Sequence, residues 1–283
     1  MSITAYVITL DEEHDLADCL ESVSWCDELL VVDSFSTDGT VELARSLGAR
    51  VVQNPWLGFA RQKQFALSQV RTEWGLNLDA DERVSASLGE SIRAAIAAAD
   101  RDVAAFSFPR TTYHLGRFFR HGTLYETVRR LARTDRSRWV GVDVHERLDV
   151  DGRVEHLAGD LIHCRNRDLS GQLETYDRYS TLKAQELFGR GVRAGAFSVV
   201  SRPLARFVRS YLFKQGFRMG TAGLVEALEQ ATYDFYKYAK IWEKGITAGG
   251  ARPRPGEPET PVDEPARFPA GGAATKRGKE GTR

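Results

Sequence analysis

Short apolar runs alternate with segments of helical period over the first hundred residues. ITAYVITL, ELLVVDS, ARVVQNP and EWGLNLDAD read as strands; EEHDLADCLESV, GTVELARSLG, GFARQKQFALSQV and SASLGESIRAAIAAAD read as the helices that follow them. LLVVD and GLNLD are apolar up to a closing aspartate, the pattern of strands covered on both faces. The alternation predicts an α/β fold with a mostly parallel sheet flanked by helices. Functional groups of such sheets gather at the carboxyl ends of the strands. Thr9, Asp11, Asp33, Asp79 and Asp81 are therefore predicted to share one rim.

From about residue 103 to 165 the pattern turns to shorter, irregular strands, AAFSFPR, TVRRLAR, RWVGVDV and LAGDLIHC. Residues 168–189 and 201–245 read as helices, the second interrupted near Gly216 to Gly223. Beyond them the chain is dense in Gly, Pro and charge, with almost nothing large and apolar to bury, and is expected to be a disordered tail. The expected organisation is a catalytic domain over 1–165, with a donor half (1–100) and an acceptor half (101–165). A helical region over 166–246 and a tail over 247–283 complete it.

Composition narrows the function classes. The 283 residues, 42% of them hydrophobic, suffice for a buried core. Lys+Arg and Asp+Glu both number 39, so no global positive charge draws the chain to nucleic acid. Three cysteines without C-x-x-C spacing argue against a disulfide framework or a zinc knuckle and point to a reducing cytoplasm. No stretch approaches the roughly 20 apolar residues that cross a bilayer. The first apolar run is too short for a signal-peptide core and is read as a strand.

LNLDADERV carries the most chemical weight. Residues two apart in an extended chain point the same way, so Asp79 and Asp81 can face one divalent cation, Mg2+ or Mn2+. Such a cation neutralises charge that develops on a departing diphosphate. Clustered acids closing a doubly buried strand call for a counterion. Asp33 precedes SFSTDGT, a turn whose Ser36, Thr37 or Asp38 can cap the next helix. Capping explains the turn but not Asp33, which could accept the imide N–H of a uracil. Glu12 and Glu13 suit the first turn of a helix.

Together VITLDEEHDLADCLESV, LLVVDSFSTDGTVELARSLGARV, PWLGFARQKQFAL and WGLNLDADERVS resemble glycosyltransferase family 2, most closely its lipopolysaccharide-core beta-1,4-glucosyltransferase branch. The likeness spans roughly residues 3 to 245 and implies a GT-A fold, a Rossmann-like nucleotide-sugar-binding sheet followed by C-terminal helices. It implies an inverting, metal-dependent transfer of a sugar, glucose from UDP-glucose, to a lipopolysaccharide-core or related glycolipid acceptor. On that likeness Thr9, Asp11 and Asp33 surround the nucleoside, Lys63 lies near the donor, Asp79 sits at the ribose or metal and Asp81 on the metal. Two positions depart from the family pattern: Asp11 stands where Asn is usual, Phe35 where Gly is frequent. RWVGVDVHERLDV resembles the segment that carries the catalytic base, assigned to Glu146, with His145 the alternative and an ion pair to Arg147 or Arg130 the bland competitor. Position 149 is Asp, so His145-Glu146 does not open an H-E-x-x-H zinc site. His163 is expected to complete the metal or diphosphate site, with Arg165 or Arg167 adding positive charge; imidazole suits Mn2+ better than Mg2+.

RPLARFVRSYLFKQGFRMG sets aromatic and aliphatic residues on a broad helical face flanked by arginines and lysine, which suits peripheral contact with the cytoplasmic face of an anionic inner membrane; homodimer packing competes. Three other function classes fit the sequence less well. A nucleotidyltransferase would carry a Gly-rich basic loop after the first strand, where this chain has DEEHD. A non-catalytic scaffold or glycan-binding protein would be free to lose Asp79, Asp81 and Glu146. A dinucleotide-binding dehydrogenase lacks its G-x-G-x-x-G here.

Overall fold

The computed structural model describes residues 2–141, 146–165 and 168–248. The amino-terminal half runs β1 (Ile3–Thr9), α1 (Leu16–Ser22), β2 (Glu28–Asp33), α2 (Thr40–Ser46), β3 (Arg50–Gln53), α3 (Phe59–Gln69) and β4 (Trp74–Leu78). Then come β5 (Glu82–Val84), α4 (Ala86–Ala98), β6 (Val103–His114), β7 (Arg117–Phe119), β8 (Tyr125–Arg133), β9 (Ser137–Val140), β10 (Arg147–Val150), β11 (Arg153–His156) and β12 (Leu161–Cys164). Three helices close the described chain: α5 (Leu169–Gly189), α6 (Ala196–Val208) and α7 (Gly220–Ala248).

The main sheet has the order β3-β2-β1-β4-β8-β6-β12-β5, with β7 and β11 also paired to β6. Its first four strands are parallel, as the α/β alternation predicts, and β8 joins β4 antiparallel. All seven residues of β1 and all five of β4 are buried, in keeping with their unbroken apolar runs. Alternate β1 residues feed two cores: Ile3, Ala5 and Val7 pack with α1 and α4, while Tyr6 and Ile8 pack with α3 and Trp139. The Trp139 indole donates to Tyr6 Oη at 2.9 Å, tying the small β9–β10 sheet to the centre of the fold. Gly159, at φ +103°, lies so close to α4 that a Cβ would sit 2.6 Å from the Leu88 backbone.

Two expectations change. AAFSFPR, expected as one of several short strands, is part of a twelve-residue strand, β6. Its polar end, TTYH, pairs with β7 and β12, partners that local periodicity does not reveal. The helix expected from residue 201 starts at Ala196, where the Gly195 amide donates to Ser198 Oγ at 2.9 Å. It passes through Pro203 into a π-type turn over Arg209–Phe213. α7 continues through Gly245 to Ala248, so the first residues of the expected tail are helical; residues 249–283 lie outside the described residues.

The C-terminal helices dock on the β6–β7 hairpin through polar contacts. Arg117 donates to the Met219 carbonyl at 2.7 Å, and His114 Nε2 lies 3.3 Å from Glu229. Glu226, fully buried, accepts from Ser210 Oγ at 2.9 Å and from the Thr123 hydroxyl. Among the described residues, no helix is long and apolar enough to cross a membrane.

Candidate active site

Parallel pairing of β1 with β2 and β4 brings Thr9, Asp33 and the residues after Leu78 to one edge. Asp33 is fully buried there. Its oxygens accept from Thr9 Oγ1 (3.2 Å), the Ser36 amide (3.0 Å), Gln53 Nε2 (3.2 Å) and the Ser36 hydroxyl. A carboxylate offers about four accepting positions, so Asp33 is saturated by its own chain. The expected bond from a base imide therefore requires one donor to yield, and the Thr9 and Ser36 hydroxyls are the two that can rotate away.

Asp11 clamps the same turn from across the rim. Its Oδ1 accepts from the Thr37 amide (2.7 Å) and hydroxyl (3.2 Å), and its own amide donates to Ser36 Oγ at 2.9 Å. Asp11 and Phe35 both have left-handed backbone, at φ 56° and 64°. These are the two departures noted in the sequence, and Asn and Gly are the residues that tolerate this region best. The family pattern at both sites thus follows from backbone geometry.

Beneath the rim lies a cluster of buried charges. Lys63, expected near the donor, is 1% exposed and lies between two carboxylates, 2.8 Å from Asp79 Oδ1 and 2.9 Å from Glu146 Oε1. Its ammonium also stands 5.0 Å from the centre of the Trp139 ring. Arg130 donates to Asp79 Oδ2 (2.6 Å), Asn77 Oδ1 (2.7 Å) and Glu82 Oε1 (3.3 Å). Glu82, fully buried, also accepts from Arg110 (3.0 Å) and from the Asp79 amide (3.0 Å), which closes the D-A-D turn. Burial works against ionisation of Asp79, but the Arg130 guanidinium and Lys63 ammonium outweigh it and hold the carboxyl well below the usual range. Burial likewise opposes the charge on Arg130, and Asp79 and Glu82 reverse that effect.

The expected metal residues have these partners in the protein alone. Both Asp79 oxygens are already engaged by cations, Lys63 on Oδ1 and Arg130 on Oδ2, so a metal there would share them. Asp81 and His163 fit a metal: His163 Nε2 lies 3.0 Å from Asp81 Oδ2, and both side chains are partly open to solvent. His163 Nδ1 is 3.4 Å from Thr112 Oγ1, a partner able to fix the ring orientation. Among the described residues no third acidic, His or Cys side chain joins them. A cation held here would complete its shell with oxygens from a diphosphate and water.

Glu146 sits just before β10, and its partner is Lys63, not Arg147 or Arg130. His145, the alternative base, and Arg167 lie outside the described residues. Arg165 lies near Tyr176 of α5, whose phenol burial pushes up in pKa while Arg165 opposes the shift. A cavity of about 590 Å³ opens beside Glu146 and Asp79, with Trp139, Arg110, Arg129, Arg130 and Arg147 in its walls. The thiols offer no nucleophile: burial pushes Cys19 well up and Cys26 to about 12, and Cys164 is raised for the same reason. Sequence reasoning missed the roles of Arg110, Glu82, Trp139 and, except as a bland partner for Glu146, Arg130. The one available signal was the pair of arginines in TVRRLAR, where strand alternation must turn one inward.

The parallel part of the sheet thus carries an acidic rim at its strand ends, with Glu146 tied to Asp79 through Lys63 beside one cavity. The family model for glycosyl transferase family 2 matches residues 4–149, and the chain belongs to that family. It is 35% identical over 256 residues to the lipopolysaccharide core biosynthesis glycosyltransferase LpsC of Rhizobium meliloti (strain 1021), covering 86% of this chain and 93% of that protein. It is 28% identical over 258 residues to an uncharacterized glycosyltransferase of Rickettsia typhi (strain ATCC VR-144 / Wilmington), covering 86% and 88%. Among solved structures, S. aureus TarS 1-349 matches with a TM-score of 0.45 at 15% identity, covering 88% of this chain and 92% of that one. Glucosyl-3-phosphoglycerate synthase from Mycobacterium tuberculosis, in complex with Mn2+, UDP and phosphoglyceric acid, matches at 0.45 and 17%, covering 69% and 80%.

Proposed function

We propose that the protein is an inverting, divalent-cation-assisted hexosyltransferase that moves glucose from UDP-glucose to a lipopolysaccharide-core or related glycolipid acceptor. The observation that carries this is the pair of carboxylates, Asp79 and Glu146, held within 2.9 Å of one buried ammonium at the mouth of a common cavity. The likeness to LpsC supports the acceptor class. Residues 1–165 would form the catalytic unit, with the donor on the rim of 1–100 and the acceptor against 101–165.

Lys63 engages Glu146 Oε1, which orients the carboxylate and leaves Oε2 to accept a proton. As the acceptor hydroxyl oxygen bonds to the anomeric carbon and the bond to the diphosphate breaks on the opposite face, that hydroxyl proton passes to Glu146. Asp33, Thr9 and Asp11 hold the turn against which the nucleoside would lie. Asp79 does not reach the donor directly in this scheme; it fixes Lys63 and Arg130. Asp81 and His163 would hold Mg2+ or Mn2+, which supplies neutralising charge for the leaving diphosphate.

Calorimetric titration with UDP-sugars, in Mn2+, Mg2+ or EDTA, tests the donor. Glu146→Gln should keep metal-dependent donor binding and lower kcat about 10²- to 10⁴-fold, while Asp81→Ala should lose the metal-dependent binding. Full turnover by Glu146→Gln would remove Glu146 as the base.

We also propose that α6 and the turn after it lie on an anionic membrane surface at the cytoplasmic face of the inner membrane. Phe197, Val200, Leu204 and Phe213 are exposed at 84, 67, 60 and 80%, and no α6 residue is fully buried. Arg202, Arg209, Lys214 and Arg218 flank them. An apolar stripe rimmed by cations matches anionic lipid better than a second copy bearing the same charge.

A further inference from the structure

The cavity beside Glu146 has an uneven charge balance. Its walls carry four guanidinium groups, Arg110, Arg129, Arg130 and Arg147, against three carboxylates, Asp79, Glu126 and Glu146. Five of those seven charges are accounted for by ion pairs. Arg110 pairs with Glu82 and Glu126, Arg130 with Asp79 and Glu82, and Glu146 with Lys63. Arg129 and Arg147 remain. Both are exposed, and among the described residues neither guanidinium meets a carboxylate; Arg129 donates only to the Leu148 carbonyl, at 3.0 Å. Neither Asp81 nor His163 lines this cavity, so it opens on the Glu146 side of Asp79, away from the pair suited to a diphosphate-bound cation.

We infer, on the assignment of Glu146 as the base, that the acceptor carries an anionic group, a phosphate or a carboxylate, close to its reactive hydroxyl, and that Arg129 and Arg147 bind it. Both arginines lie on strands that hold the site: Arg129 is one residue before Arg130 on β8, and Arg147 opens β10 directly after Glu146. Planar guanidinium groups suit the paired oxygens of phosphate and carboxylate. The cavity, about 590 Å³, falls within the ordinary range for small-molecule sites.

The test is a titration of the full chain, saturated with UDP and Mn2+, using three probes: methyl glucoside, methyl glucuronoside and glucose 6-phosphate, followed by NMR. UDP occupancy keeps the probes from the diphosphate site. At least one anionic probe should bind about tenfold or more tightly than the neutral one, and the better of the two identifies the group as phosphate or carboxylate. The preference should vanish in the double variant R129Q/R147Q with UDP affinity unchanged, persist in part in R129K/R147K, and weaken as salt rises. Equal binding of all three, binding of none, or an anion preference that survives R129Q/R147Q would overturn the inference while leaving the transfer assignment standing. Failure of UDP itself to bind would overturn both.

Discussion

Replacing Lys63 with Met keeps most of the side-chain volume and removes one charge from the centre of the site. Lys63 is 1% exposed, and its ammonium meets Glu146, 16% exposed, and Asp79, 33% exposed. Breaking a buried pair by deleting one partner costs about 3–5 kcal/mol. Asp79 keeps Arg130 and is partly hydrated, which reduces the effect, whereas Glu146 loses the only cation within ion-pair distance among the described residues. The expected loss is about 2–4 kcal/mol, or roughly 5–15 °C in melting temperature for a fold of this size. The pH dependence follows from Asp79, whose folded pKa is depressed. A depressed carboxyl contributes stability that is present above its unfolded pKa of about 3.9 and lost as pH falls through the folded value. Wild-type stability from Asp79 should therefore be full at pH 7 and fall below about pH 4, while the gap to Lys63→Met, for which the unfolded reference is shared, should be full at pH 7 and not widen in acid. Thermal melts at pH 7 and pH 3 measure it. Adding Glu146→Gln should recover part of the loss, because the carboxylate left without its cation is then gone. A melting temperature within a degree of wild type at pH 7, or a gap that widens in acid, would refute the assignment of Lys63 as the counterion of this cluster.

Phe35→Gly relieves a left-handed backbone worth about 1–2 kcal/mol but adds about 0.5–1 kcal/mol of unfolded-state entropy. The side chain is more than half exposed, so a net gain of up to about 1 kcal/mol is expected in denaturant unfolding, and a loss would contradict the strain. Gly159→Ala should destabilise by at least about 2 kcal/mol, because its Cβ would meet the Leu88 backbone at 2.6 Å in an unfavourable φ; an unchanged midpoint would show that α4 shifts freely. Asp33→Asn leaves one accepting oxygen where four donors converge, so stability should fall by about 2 kcal/mol and UDP binding with it. Co-sedimentation with phosphatidylglycerol vesicles should weaken sharply for Arg202→Glu/Arg209→Glu, at about 1 kcal/mol per charge removed. Indifference to lipid charge, or a dimer in light scattering that Phe197→Asp dissociates, would point to self-association instead.

Local pattern alone determined the alternation of β1 to α4, the mostly parallel pairing and the edge at which Thr9, Asp33 and Asp79 meet. Unbroken apolar runs ending in aspartate have one economical arrangement, a sheet covered on both sides, and parallel strands put all their closing residues at the same end. The two unusual residues of the rim, Asp11 and Phe35, were also visible as departures from a family pattern, though their positive φ was not. The tertiary structure alone decided what each charge does. Lys63 looks like one more cation on a helix with alternating polar residues, yet the packing of α3 against β9 brings it under Trp139 and between two carboxylates far apart in sequence. Arg130 and Arg110 come from antiparallel strands whose pairing joins residues some fifty and thirty positions from their partners in the D-A-D turn. Period and propensity act over a few residues, so they can place a side chain on a face; which opposite charge it meets depends on how distant segments pack.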